Sequence, residues 1–312
     1  MANLAYLQVT RFCNQKCRFC SNPPSGWKDL TLAGAKKVID KYIKEGYGGV
    51  ILTGGEPTIY PFLPDLISYC RKKKLPSRLI TNAQKTADKK YLDGLIKAGL
   101  EHIHVSIYSH HPEIQGYLTQ NEESFWNIKK TLENLSNNVK KITVNVNITL
   151  NKQNSDHLSN LISFIVKNYP FVQHFVFNNL DPISDRVKKN KDTIPKLVDF
   201  ELELVKALNF LEKNKKTFRI ERTPLCYMPG FEHCSTETRK IVKDESRPLF
   251  FLDKRGFRVQ KKFYRDKAKC CLSCSLNDIC AGLYEMDKCF DSKELYPVFV
   301  SQEAVINRVL YE

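Results

Sequence analysis

Six short apolar runs rich in β-branched residues alternate with longer amphipathic stretches between residues 4 and 180, and this rhythm leaves few folds open. The runs are 5–10 (AYLQVT), 49–54 (GVILTG), 77–82 (SRLITN), 102–109 (HIHVSIYS), 141–150 (KITVNVNITL) and 173–179 (QHFVFNN). Helical periods lie between them at 31–46, 62–74, 90–99, 124–138 and 156–169. Strand-length runs in alternation with helices build βαβ units on a parallel sheet. Six such strands make either an open doubly wound sheet or a barrel-like wrap. In both, chemistry gathers beyond the C-terminal ends of the strands. A further helical period spans 197–214, and after it the rhythm is lost. Residues 249–263 read as paired strands with Arg255-Gly256 at the turn. The expectation is an α/β core over 1–215 followed by a separate extension over 216–312.

A chain of 312 residues with 42% hydrophobic residues can bury a core of that size. Its opening, MANLAYLQVT, has neither the basic nor the apolar region of a secretory signal, and no apolar run approaches 18 residues. A cytoplasmic protein without a membrane span is expected. In a reducing compartment disulfides are rare, so eleven cysteines call for another explanation. They cluster: 13, 17 and 20 near the start, and 270, 271, 274, 280 and 289 near the end, with 226 and 234 before the second group. Clustered thiols in such a setting read as metal or cluster ligands. Cys70, in a helical stretch, reads as a buried small hydrophobe. The net charge of +15 suits an acidic peptide, a phosphorylated substrate or nucleic acid. Well-solvated Lys-rich surface segments are the simpler source, since no aromatic-interleaved RNA-binding motif accompanies the charge.

Each unusual motif falls at the end of an expected strand. Cys13, Cys17 and Cys20 sit with C-x3-C-x2-C spacing on the loop leaving the first. A cubane iron–sulfur cluster takes four ligands, and three thiolates leave one position open. A zinc ion completed from elsewhere is the other reading of the same donors. After the second strand comes Gly54-Gly55-Glu56-Pro57, where two glycines permit close backbone approach, Glu56 can accept from a cationic amine and Pro57 fixes the turn.

With Phe19 before the last cysteine and GGEP after the second strand, residues 5–180 resemble the radical S-adenosylmethionine (SAM) superfamily. The resemblance implies a partial (β/α)6 barrel, a 4Fe–4S cluster on Cys13, Cys17 and Cys20, and SAM bound through its amino and carboxylate groups at the open iron. It implies reductive cleavage of SAM to methionine and a 5′-deoxyadenosyl radical that abstracts a substrate hydrogen, with an electron donor such as flavodoxin or ferredoxin. Matched position by position, Gly55 and Glu56 face the methionyl group, Phe19 packs near the adenine, and Asn82, Ser106 and Asn147 contact SAM. Ala83 stands where many members have glycine. For Asn82, Ser106 and Asn147 ordinary strand-end capping is the alternative. Arg11 meets either an anionic substrate group or a protein carboxylate.

The tail, CCLSCSLNDICAG (270–282), resembles the auxiliary-cluster extensions called SPASM and twitch. Tyr284 occupies the position where a full SPASM domain has its next cysteine, which favours a single auxiliary cluster on Cys226, Cys271, Cys274 and Cys280. Structural zinc is the alternative. Cys234 and Cys289 are left as spare thiols, and Cys270 fits the spacing less well. Enzymes with this extension are enriched in peptide and protein maturases, so a peptide side chain is the expected substrate, with a small molecule as the other class. No peptide-docking domain is expected before the first strand. A GTP 3′,8-cyclase-like role and a non-catalytic iron–sulfur scaffold are the alternatives. Nucleic acid is possible but not favoured, and no individual catalytic residue is singled out.

Overall fold

The computed structural model describes residues 3–311. Its strands are β1 (Leu4–Thr10), β2 (Gly49–Gly54), β3 (Ser77–Thr81), β4 (His102–Ser106), β5 (Thr143–Leu150), β6 (Val172–Asn179), β7 (Thr217–Glu221), β8 (Arg247–Phe250) and β9 (Phe257–Gln260). The helices are α1 (Leu32–Lys44), α2 (Leu63–Lys72), α3 (Lys89–Ala98), α4 (Pro112–Thr119), α5 (Ser124–Ser136), α6 (Leu158–Asn168), α7 (Asp185–Lys189), α8 (Leu197–Lys213), α9 (Thr236–Val242) and α10 (Gln302–Tyr311).

Local chemistry sets several of these ends. Thr31 caps α1 by accepting from Gly34 N, and Asp88 caps α3 by accepting from Lys90 N. Gly99, at φ +114°, stops α3 in the left-handed region. The short helix α4 is absent from the sequence expectation. Pro112 starts it, where a missing N–H costs nothing, and Gln120 at φ +51° ends it after eight residues.

One sheet holds all nine strands in the order β7-β6-β5-β4-β3-β2-β1-β8-β9. Every pairing from β7 through β8 is parallel, and β8-β9 is an antiparallel hairpin with Gly256 in its turn. Strands 1 to 7 follow one another in one direction. Successive right-handed crossovers in one direction put the helices on one face and curl the sheet, so the wrap is adopted and the doubly wound sheet is not. The sheet also continues past residue 215: β7 pairs with β6, and β8 pairs with the other edge of β1.

The strand period of two sorts the side chains. Ala5, Leu7, Val9, Val50, Leu52, Leu79, Ile103, Val105, Val146, Phe175, Phe177 and Ile220 face the helices in one continuous core, with Cys70 of α2 among them. Each large apolar side chain so buried contributes about 1.5–3 kcal/mol against chain entropy. The alternate residues, among them Gln8, Thr53, Arg78, His104, Asn147, His174 and Arg219, line a cavity on the concave face.

Candidate active site

That cavity, about 560 Å³, is the centre of the molecule's chemistry. The loop after β1 brings Cys13, Cys17 and Cys20 to its wall. The loop is held from two sides. Lys16 N and Arg18 N donate to Thr119 O (3.2 Å) and Leu118 O (2.9 Å) at the end of α4, and Gln15 Nε2 donates to Ser124 Oγ (3.0 Å). On the other side Gly55 N donates to Thr10 O and Glu56 N to Phe12 O, both at 2.8 Å. A Cβ on Gly54 would overlap Thr10 O, and one on Gly55 would overlap Phe12 O. The close approach that the two glycines permit is thus to the cysteine loop's own backbone.

Glu56 differs from its expected role as a free acceptor. Its buried carboxylate accepts from Thr58 N (3.0 Å), Thr58 Oγ1 (2.6 Å), Thr81 Oγ1 (2.7 Å) and Asn82 N (2.7 Å). Burial pushes its pKa up against these donors. It therefore fixes the end of β3 beside the cysteines. Asn82, so placed, donates from Nδ2 to Asn14 Oδ1 (2.7 Å) and lies 3.8 Å from Cys13 Sγ. Ser106 and Asn147 are direct neighbours across β4 and β5 and line the cavity together. Phe19 is buried against Tyr108, edge to face at 4.6 Å. Phe19, Gly55, Glu56, Asn82, Ser106 and Asn147 thus line one space with the three cysteines.

Burial is the main force raising the pKa of all three thiols, Cys13 to about 11, and in Cys13 and Cys17 neighbouring thiols add to it. Mutual repulsion of this kind is what a bound cation reverses. Arg11 does not line the cavity. Its guanidinium donates to Asn22 Oδ1 and Pro23 O and pairs with Asp253 at 3.4 Å, tying the loop to the turn after β8. Of its two expected partners, the structure supplies the protein carboxylate.

The second group converges as well. Cys226, Cys271, Cys274 and Cys280 line one small enclosed cavity with Pro224, Leu225, Leu295 and Tyr296. Backbone N–H groups of Val298 and Gly282 point at Cys274 Sγ (3.3 Å) and Cys280 Sγ (3.4 Å). Cys270 turns away, its thiol donating to Leu295 O at 3.3 Å. Cys234 lies against His233, and neither it nor Cys289 reaches this cavity. Tetrahedral zinc, with Zn–S near 2.3 Å, would hold its sulfurs about 3.8 Å apart. Among the described residues no three cysteine sulfurs lie within 4.8 Å of one another, in either group. The thiols as placed stand wider apart than bound zinc would hold them, and thiolates are ligands for zinc and for iron–sulfur clusters alike.

Sequence reasoning overlooked Tyr108 and the inward charges Arg78, His104, His174, Arg219 and Arg247. A signal was present. Strands of a buried parallel sheet read as near-continuous apolar runs, whereas HIHVS and TFRIE carry a polar residue at every second position and SRLIT sets Arg78 inside a strand.

Residues 7–165, just over half of the chain, match the Radical SAM superfamily. The chain belongs to the radical SAM superfamily. Its matches include the PqqA peptide cyclase of Xanthomonas oryzae pv. oryzae, 31% identical over 118 residues, which are 36% of this chain and 32% of the relative. The PqqA peptide cyclase of Bradyrhizobium diazoefficiens is 28% identical over 167 residues, 51% of this chain and 42% of the relative. The chain thus spans less than half the length of these curated relatives. In fold it is similar to Streptococcus suis SuiB bound to precursor peptide SuiA (TM-score 0.68, 16% identity, 91% of this chain and 72% of that one). It is also similar to native anSMEcpe with bound AdoMet (TM-score 0.64, 15% identity, 98% and 96%). Family membership carries with it a 4Fe–4S cluster and SAM. Among the described residues no helix is long and apolar enough to cross a membrane.

Proposed function

We propose that this radical SAM enzyme modifies a peptide side chain, with SAM at a cluster held by Cys13, Cys17 and Cys20 and an auxiliary cluster held by Cys226, Cys271, Cys274 and Cys280. One observation carries the reading: three thiols and Phe19 from one loop, and five further candidate SAM contacts from four strands or their ends, line a single cavity. When bound, the first cluster supplies the single electron that cleaves SAM. The chain's own residues position and shield. Gly54 and Gly55 let the end of β2 grip the cysteine loop, Glu56 holds Asn82, and Phe19 with Tyr108 closes an apolar wall against water. Residues 1–215 would form the SAM-cleaving part and 216–312 the auxiliary part, joined through β7–β9 into one sheet. A flavodoxin or ferredoxin would deliver the electron. The peptide class rests on the likeness to peptide cyclases and on the second cysteine set, four thiols of which line one small cavity.

Anaerobic reconstitution tests both sites at once. The wild type is expected to hold roughly eight irons per chain and a Cys13/Cys17/Cys20→Ala variant roughly four, with 5′-deoxyadenosine formation lost. Four irons falling to none, with zinc in the remainder, would remove the auxiliary cluster and the main support for a peptide substrate.

A further inference from the structure

Below the cysteines, the concave face carries a set of arginine and histidine side chains that the SAM-cleaving chemistry does not use. Arg78 of β3, His104 of β4, His174 of β6 and Arg219 of β7 line the cavity from four strands. In the pairing register His104 lies opposite Asn145, and Asn145 opposite His174. Arg219 is level with Val176 and, through it, with Asn147 and Ser106. The set therefore adjoins the candidate SAM contacts on the same face.

Two of these residues are incompletely satisfied, whereas His174 Nδ1 meets Thr217 Oγ1 (2.8 Å) and Arg219 donates to Phe218 O (3.2 Å). The Arg78 side chain makes no hydrogen bond or ion pair with any described residue, and its Nε is buried. His104 is buried and faces Asn145 Nδ2 at 3.3 Å through Nε2. The other ring nitrogen, Nδ1, is buried without a partner, as is Asn145 Oδ1 beside it. Burial, with Arg78 and the other histidines close by, drives the His104 pKa down to about 3. Burial and Arg219 take His174 to about 4. Of the carboxylates that line the cavity, Glu221 pairs with Arg247 (3.2 Å), Glu56 holds the end of β3 and Asp181 accepts from Ile183 N (3.2 Å). Buried polar atoms are ordinarily satisfied, and Arg78 Nε and His104 Nδ1 are two on this wall that are not, beside the basic Arg219, so the wall has room for an acceptor.

A second pocket of about 480 Å³ shares His174 and Arg219 with the main cavity. Lys215, Lys216 and Arg239 line it beside Glu212, so the approach from the β7 edge is basic as well. We propose that Arg78, His104, His174 and Arg219 form a subsite for a carboxylate of the substrate, seating it next to SAM. This rests on the peptide reading above, in which the carboxylate is an Asp or Glu side chain or a C-terminus. Guanidinium and imidazole N–H groups suit a planar anion, and a water-poor wall strengthens each charge-assisted bond.

The test uses reconstituted holoenzyme saturated with SAM, so that the methionyl carboxylate of SAM cannot be the anion measured. Calorimetric titration compares three probes at fixed ionic strength: N-acetylglutamate α-amide, N-acetylglutamine with a free α-carboxylate, and N-acetylglutamine α-amide. One or both carboxylate probes should bind at least about tenfold tighter than the neutral one, and which of them does so names the source. Arg78→Gln and Arg219→Gln should each remove most of that preference, and Arg78→Lys should keep part of it. Lys72→Gln, on the outer surface of α2, should leave it unchanged. Equal binding of charged and neutral probes overturns the proposal, as does a preference seen only without SAM. 5′-Deoxyadenosine formation by the wild type is measured separately, so failure of the subsite and failure of the SAM-cleaving reading are told apart.

Discussion

The two cysteine groups use the same donor in opposite surroundings. Cys13, Cys17 and Cys20 open onto a cavity of about 560 Å³ whose other walls mix amides, hydroxyls and charged groups with Phe19, Ile51, Ile80 and Val176. Cys226, Cys271, Cys274 and Cys280 face a small enclosed space walled by Pro224, Leu225 and Leu295. Three thiols and an open face suit a group that must admit a ligand; four thiols and a closed face suit one that is held. The backbone is arranged accordingly. The first loop is pinned from both sides by β2 and α4, while the second set comes from two distant segments that meet over the core.

The largest expected effect separates the two groups by metal content. Cys271→Ala combined with Cys274→Ala should lose roughly four irons per chain and keep the iron held near the N-terminus. Cys289→Ser should lose none, because Cys289 does not line the enclosed cavity. Iron and sulfide analysis checks both. Loss from both sites in the double variant would mean that the groups are not independent.

Next comes the open site's support. Glu56→Gln keeps the shape but places an NH₂ group among four donors. A buried donor left facing another donor costs about 1–3 kcal/mol. The unfolding free energy should fall by that much, seen as a lower urea midpoint, and SAM affinity should fall with it because Asn82 is held through Glu56. A lost midpoint with unchanged SAM affinity would detach Asn82 from SAM binding.

The concave wall separates the sites by pH. His104 and His174 have folded pKa values of about 3 and about 4, below the ordinary 6.5, through burial with Arg78 and His102 near the first and Arg219 and Arg78 near the second. Between those values and 6.5 the unfolded chain binds more protons, so stability rises with pH there. The contribution is complete above 6.5 and is lost as pH falls, by at most about 1.4 kcal/mol per pH unit for each ring. Urea unfolding across this range should show the slope, and His104→Gln should flatten it.

How much of this was legible in the sequence follows from which periods the residues display. The first six strands and their helices were found within a few residues, because Val50, Leu52 and their counterparts must pack on helices whatever the cavity contains. The cysteines of both sites were legible from spacing. β7 was not: TFRIE places Arg219 and Glu221 in a strand that a linear reading assigns to the surface, and only pairing with β6 turns them inward. Arg11 was expected to meet a substrate anion or a carboxylate and Glu56 a cationic amine, but the sequence does not state which partner is nearest. Asp253 reaches Arg11 from 242 residues away.

The smallest expected effect is at Ala83, beside the open site, where many members of the family have glycine. Ala83 is fully buried at φ +63°, with its N–H donated to Thr81 Oγ1 (3.0 Å) and its carbonyl accepting from Thr131 Oγ1 (2.8 Å). A side chain in the left-handed region costs about 1–2 kcal/mol, which glycine would relieve. Against that, glycine loses a buried methyl worth about 0.8 kcal/mol and gives the unfolded chain about 0.4–1 kcal/mol of extra freedom. The terms nearly cancel, so Ala83→Gly should change stability by less than about 1 kcal/mol, which accounts for alanine being tolerated here. Ala83→Val adds a β-branched side chain at the same φ in a filled site and should cost more than about 2 kcal/mol. Urea denaturation of the pair decides it: a large gain with glycine would mean that the strain beside Asn82 is greater than the backbone angle implies, and that the open site holds it in place.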